Sequence, residues 1–349
     1  MASYAIFDEP YYLAQYPWVK PAIDAGVIKS GREHFEKFGQ AGGLTKVSRY
    51  FDEETYLAQN PDIAPLVRTP NNPNAPFATG LDHFIQYGYE EGRTRVSPEY
   101  DEAFYLASNR DLQPFIQNET FKNGYQHFIE FGAKEGRFGT SFFESEYLRN
   151  NPDILPLVNS GALKTGREHY FNFGQFEPSR SATFFGTSGN DILTGVGVGN
   201  VRLIGVELGI SPGSFGQYQS KESDGSNEFD TLIGGSGRDT FALSLSLLGA
   251  KASFVGLKQL YIGPGFATIR NFTQGQDSIE LGASLEKFLV FPINNNRDLA
   301  IQTNGLPVVG QNGVPETSRF DTIAVIEGGG NLSLNLLRPE FIFYLTLIG

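Results

Sequence analysis

Along the first half of the chain, apolar positions recur three and four residues apart, the spacing of one helix face, and the pattern itself repeats. Phe7-Asp8-Glu9-Pro10-Tyr11-Tyr12-Leu13-Ala14 returns as Phe51-Asp52-Glu53-Glu54-Thr55-Tyr56-Leu57-Ala58, as Tyr100-Asp101-Glu102-Ala103-Phe104-Tyr105-Leu106-Ala107, and as Phe143-Glu144-Ser145-Glu146-Tyr147-Leu148. Each copy carries a second motif: His34-Phe35 with Phe38-Gly39, His83-Phe84 with Tyr87-Gly88, His127-Phe128 with Phe131-Gly132, and His169-Tyr170 with Phe173-Gly174. The copies lie roughly 42 to 49 residues apart. Asp8 and Asp52 stand where an N-cap accepts from the first free amides of a short helix. The tyrosine and leucine that follow face inward, and Asn60-Pro61 ends the helix. In the second motif, histidine and the aromatics after it form one helical stripe. The glycine behind it is expected to be the left-handed C′ residue. Each repeat thus reads as two or three short helices whose aromatic faces need neighbours.

The period changes near residue 180. Of 41 glycines 26 follow that point, and β-branched residues begin to alternate with polar ones. Residues 268–281 and 320–326 read as strands. Between them and the boundary lie two nine-residue units in register, 225–233 and 234–242, with Asp230 and Asp239 at the sixth place and Leu232 and Phe241 at the eighth. A third unit begins at Gly186 and carries Asp191. A fourth, 195–203, is degenerate and places Asn200 at the sixth position. The second unit fits G-G-x-G-x-D-x-U-x throughout, the pattern of a parallel coil whose turns bind Ca²⁺. Glycines allow the tight turn, the aspartate offers a hard anionic oxygen, and turn carbonyls complete a shell of six to eight. The candidate ligands are Gly186, Ser188, Asp191, Asn200, Asp230, Gly234, Ser236 and Asp239. Residues 204–224 interrupt the array, so one or two ions are expected.

On these residues the second half resembles the RTX, or haemolysin-type, calcium-binding proteins. Residues 268–281 are similar to the segment that often follows such arrays. The resemblance implies a right-handed parallel β-roll or β-helix, calcium as the bound ion, and export by a type I system that reads an uncleaved C-terminal signal. Phe341 to Gly349 is the candidate tail, with a final core strand as the alternative. The helical repeats resemble those found beside RTX-type segments in secreted cyanobacterial proteins. Together the two halves look like the surface-fibril proteins of gliding filamentous cyanobacteria, the oscillin type.

The expected architecture is therefore α+β and multidomain: an all-α domain of four repeats at 1–180 and a calcium-binding β-roll domain at 181–349. The totals narrow the function. The chain has 349 residues and no cysteine, which removes disulfides, zinc–thiolate sites and thiol catalysis. A net charge of −12 argues against nucleic acid or an anionic membrane as partner. No apolar run is long enough to span a bilayer, and the first residues lack a signal peptide's basic start and apolar run. No nucleophile elbow or phosphate loop occurs, and all four histidines fall at one repeat position, where packing explains them. The paired carboxylates Asp230 and Asp239 have the period of metal ligands, so no enzyme is expected. The leading expectation is a secreted calcium-dependent structural protein that assembles with itself at the cell surface. A carbohydrate-binding adhesive module, with extracellular polysaccharide as partner and tyrosines for sugar stacking, is the alternative.

Overall fold

The computed structural model describes residues 3–208, 223–248, 254–282, 287–304, 307–309, 315–317, 320–332, 335–337 and 345–348. Most of the excursion expected at 204–224, and residues 341–344 of the tail, lie outside them. Two compact units result, Met1–Thr140 and Ser141–Gly349.

The first unit holds three repeats. In each, a helix (Glu9–Gln15, Glu53–Gln59, Glu102–Ser108) starts at an aspartate whose side chain accepts an amide of the first turn, as Asp52 does from Thr55. The glutamate one residue later reaches across to the second helix. Glu53 accepts from the amides of Gly80 and Leu81, and Glu9 and Glu102 do the same for their own repeats. Each second helix (Gly31–His34, Gly80–His83, Gly124–His127) has its own Ser, Thr or Asn cap. It then runs on as a π-helical turn, Phe35–Gly39, Phe84–Gly88 or Phe128–Gly132. Consecutive repeats are stitched by the amide of the capping aspartate: Asp8 donates to the Val47 carbonyl, Asp52 to Val96 and Asp101 to Gly139.

The second unit opens with the fourth repeat. Its helices Glu144–Asn150 and Gly166–Asn172 keep the pattern, although Phe143 replaces the capping aspartate and makes no side-chain cap. The stitch then falls on a strand, because Phe143 donates its amide to Thr183. Sixteen strands follow among the described residues: β1 Ser181–Gly186, β2 Ile192–Thr194, β3 Asn200–Glu207, β4 Phe229–Ile233, β5 Thr240–Ala242, β6 Ser244–Leu248, β7 Phe254–Gln259, β8 Phe266–Arg270, β9 Ser278–Leu281, β10 Phe288–Ile293, β11 Asp298–Asn304, β12 Pro307–Val309, β13 Pro315–Thr317, β14 Phe320–Ile326, β15 Asn335–Leu337 and β16 Leu345–Ile348.

The chain alternates between two sheets. One is ordered β1-β3-β5-β9-β16-β15, the other β10-β11-β14-β8-β4-β2. The ladders β1-β3-β5-β9 and β2-β4-β8-β14 are parallel, and antiparallel strands extend each sheet. The β6–β7 and β12–β13 pairs stand apart as hairpins. Leu193, Leu232 and Ile269 from one ladder and Leu203, Phe241 and Ile279 from the other are buried together in a single core. The last four described residues pair antiparallel with β9, so that part of the tail is a strand.

The compact units divide at residue 140, whereas the composition changes at residue 180. Phe142, Phe143, Tyr147, Ile154, Tyr170 and Phe171 of the fourth repeat belong to the core of the strands. Ser141 Oγ accepts the Phe185 amide, Asn151 donates to the Ser181 carbonyl, and Tyr170 donates to the Val196 carbonyl. The fourth repeat therefore covers one end of the parallel ladders.

Candidate metal centre

The strand register aligns the turns between the ladders into two columns. In one, Asp191, Asp230 and Ala267 fall in line; in the other, Val201, Asp239 and Asp277 do. Asn200 is thus one residue out of place. It is exposed, and its side chain accepts the Arg238 amide at 3.1 Å. The nine-residue unit it was assigned to is shifted by one, because core packing pairs Leu203 with Phe241 and so fixes Val201 beside Asp239.

Asp191, Asp230, Asp239 and Asp277 are each only 1% exposed. Their burial is sustained by backbone amides. Oδ1 of each later aspartate accepts from the aligned residue of the previous rung: Asp230 from Asp191 at 2.9 Å, Asp239 from Val201 at 3.2 Å, and Asp277 from Asp239 at 2.9 Å. Oδ2 turns into its own turn, where Asp191 accepts from Thr187 and Asp277 from Thr273, both at 2.7 Å. Asp230 instead takes the Tyr261 hydroxyl at 2.6 Å. These carboxylates brace the stacked turns through backbone amides.

Asp239 departs from the set. Its Oδ2 is buried and makes no hydrogen bond of regular geometry among the described residues, although the Gly235 backbone amide of its own turn holds the carboxyl down. Burial, and then the neighbouring Asp277, push its carboxyl up to about 6. The space it faces is lined with oxygen. A Cβ built on Gly235 would lie 3.3 Å from the Gly197 carbonyl oxygen, 3.5 Å from that of Gly195, and 3.8 Å from Asp239 Oδ2. This carboxylate oxygen and the two carbonyl oxygens of the neighbouring turn form a donor set of the kind a hard cation takes. No group of three His, Cys, Asp or Glu side chains gathers among the described residues. A cation held here would therefore rely on backbone carbonyls.

The remaining candidates are placed differently. Ser188 and Ser236 are exposed at the turn tips. Gly234 lies beside Asp239, where a Cβ would sit 3.0 Å from Oδ2. Gly186 ends β1 against the backbone of Gly205, too close for a side chain. Glu228 is buried in the Asp191 column, bonded to Ser223 at 3.2 Å, with its carboxyl pushed up to about 7 by burial. Asp277 and Tyr261 were not among the candidates. Asp277 was legible as the aspartate of the segment 268–281, whereas nothing in the sequence points to Tyr261.

The four histidines are buried, as expected of a packing position, and the Nδ1 of each meets a tyrosine hydroxyl. His34 meets the Tyr12 hydroxyl, His83 that of Tyr56, His127 that of Tyr105 and His169 that of Tyr147, at 2.7–2.8 Å through Nδ1. The hydroxyl passes over the next glycine; a Cβ on Gly88 would come within 2.6 Å of Tyr56 Oη. That approach, and not a left-handed φ, is why glycine stands there. In the first three repeats the glycine four residues on (Gly43, Gly92 or Gly136) is left-handed instead.

No known family profile and no curated protein matches the chain. Among solved structures it shows a likeness to the AlgE6R3 subunit from the Azotobacter vinelandii mannuronan C5-epimerase, at 16% identity and a TM-score of 0.14. The match covers 42% of this chain and 70% of that one.

Proposed function

We propose that this chain is an exported calcium-binding structural protein that assembles with itself outside the cell. On this reading the second half is a right-handed RTX-type β-roll, with calcium at the Asp239 turns, and a type I exporter carries it out. The observation that supports the reading is the buried Oδ2 of Asp239, which lacks a hydrogen bond of regular geometry, beside the carbonyls of Gly195 and Gly197. Bound there, calcium supplies charge neutralisation in a place where burial penalises the carboxylate. Asp239 would hold the ion, Gly195 and Gly197 would offer carbonyls, and the absence of side chains at Gly234 and Gly235 would leave it room. A ligand that binds only the closed coil stabilises it by mass action, so the ion-poor cytosol leaves it looser than the outside does.

Assembly through the capped end is blocked by the fourth repeat, so contacts between copies would use the other faces, such as the edges formed by β10 and β15. Calcium titration of the purified chain, followed by circular dichroism and light scattering, tests both parts. A gain in β signal and in scattering mass with calcium is expected. An unchanged β signal removes the ion, and a monomer in both calcium and chelator removes the assembly.

A further inference from the structure

Of the 16 tyrosines, Tyr12, Tyr56, Tyr105 and Tyr147 at the repeat positions are fully buried and closed to sugar stacking. The exposed rings lie elsewhere. Four residues after each histidine stands a half-open aromatic: Phe38, Tyr87, Phe131 and Phe173, exposed by 58, 51, 48 and 55%. Phe84 of the same stripe is buried, so the stripe is split between core and solvent. Phe77 packs edge-on to both His83 and Tyr87, and Phe121 does the same to His127 and Phe131. The rings are thus held in place with one side open.

Beside the histidine lies a fixed polar group. In the second repeat Arg93 donates to Asp62 at 2.8 Å, to Glu91 at 2.7 Å and to the side-chain oxygen Oδ1 of Asn60 at 3.0 Å. His83 Nε2 is 3.9 Å from Glu91, which ties the polar group to the ring side of the same histidine. Asp62 is 60% and Glu91 44% open, although both are locked by the guanidinium. The third repeat reproduces the set with Arg137, Asp111, Glu135 and Asn109, and the fourth with Arg180, Asp153, Glu177 and Asn151. The first repeat has the exposed ring, with Trp18 against His34, but lacks the Arg–carboxylate set.

We infer that the open ring and the neighbouring Asp–Arg–Glu set of repeats two, three and four form binding notches for a neutral, hydroxyl-rich polysaccharide. A sugar ring presents C–H bonds on one face and hydroxyls on its rim. The aromatic takes the first, and preorganised carboxylates accept from the second. Two acids and one base leave each notch with net negative charge on a chain of −12, which disfavours an anionic polymer. The notches lie in the helical repeats and do not depend on the calcium site.

Affinity electrophoresis of the full chain through gels holding glucan, mannan, galactan or xylan, with alginate as the anionic comparison, tests this in chelator and in calcium alike. Retardation by at least one neutral polymer and not by alginate is expected. It should weaken about tenfold or more when Tyr87→Ala, Phe131→Ala and Phe173→Ala are combined, a scale set by base–aromatic stacking losses. Tyr87→Phe alone, which keeps the ring, should retain it. Circular dichroism checks that the triple variant is folded; if it is not, Asp62→Asn with Glu91→Gln is the second variant, expected to weaken retardation as well. No retardation by any neutral polymer, or retardation unchanged in folded variants, overturns the proposal. So does loss of self-association in the ring variants without any polysaccharide effect, which would make these rings a contact between copies.

Discussion

At the scale of single residues, Asp239 carries opposite consequences with and without a cation. Its folded carboxyl is pushed to about 6, above the usual carboxylate value of 3.8. A raised carboxyl means the folded state holds its proton more tightly than the unfolded one. Its ionised form therefore costs stability, and the cost grows as pH rises from about 4 through 6. In chelator at pH 7, Asp239→Asn should stabilise the second unit by about 1–3 kcal/mol, since the amide keeps the acceptor for Val201 and carries no charge. In millimolar calcium the order should reverse, with the wild type melting higher. Thermal melts of both proteins in both conditions check it, and an identical order in chelator and calcium would remove the ion from this site. Only part of this was readable beforehand. The sixth-place aspartates were evident from spacing, but their use of backbone amides across rungs depends on register, which one residue changes. Asn200 illustrates the point: glycine spacing favoured it, and the pairing of Leu203 with Phe241 displaced it.

At the scale of elements, the Tyr–His pair organises each repeat. The sequence revealed its periodicity and its burial, because a residue repeated at fixed places beside aromatics is packed. It did not reveal the π-helical turn of the first three repeats, which the fourth lacks although Tyr147 lies over Gly174 in the same way. Burial lowers the pKa of His34, His83, His127 and His169. With the folded value below the ordinary 6.5, the unfolded state takes up protons first. The stability these pairs lend is whole above pH 6.5 and declines as acid is added toward the lowered values. Three of the four lie in the first unit, where they should lower the melting temperature between pH 7 and pH 5 against the opposite contribution of the raised carboxyl of Asp101. Replacing His83 by Gln, which keeps an acceptor near Tyr56 and does not titrate, should flatten the part of that slope belonging to the first unit. A slope unaffected by the replacement would assign the acid sensitivity to other groups.

At the scale of the whole molecule, composition marked a change at residue 180, while the packing divides at residue 140. Both observations follow from one piece of chain. Glycine content and alternation register where strands begin, but they are blind to which surface a helix covers. The stitch used between repeats explains the difference: the amide that bonds Val96 in the second repeat has its counterpart in Phe143, whose acceptor is Thr183 on β1. The first strand occupies the place where a fifth repeat would start. A chain beginning at Ser181 would leave Ala182, Phe184, Leu193 and Val196 without the fourth repeat's aromatics. Losing six buried apolar side chains from one core removes on the order of 10 kcal/mol of burial, comparable to the stability of a domain. Residues 141–349 should therefore unfold cooperatively in calcium, whereas 181–349 should bind a hydrophobic dye and show no sharp transition. If the shorter piece melts as sharply as the longer one, the fourth repeat is an appendage, and the strands close their own end.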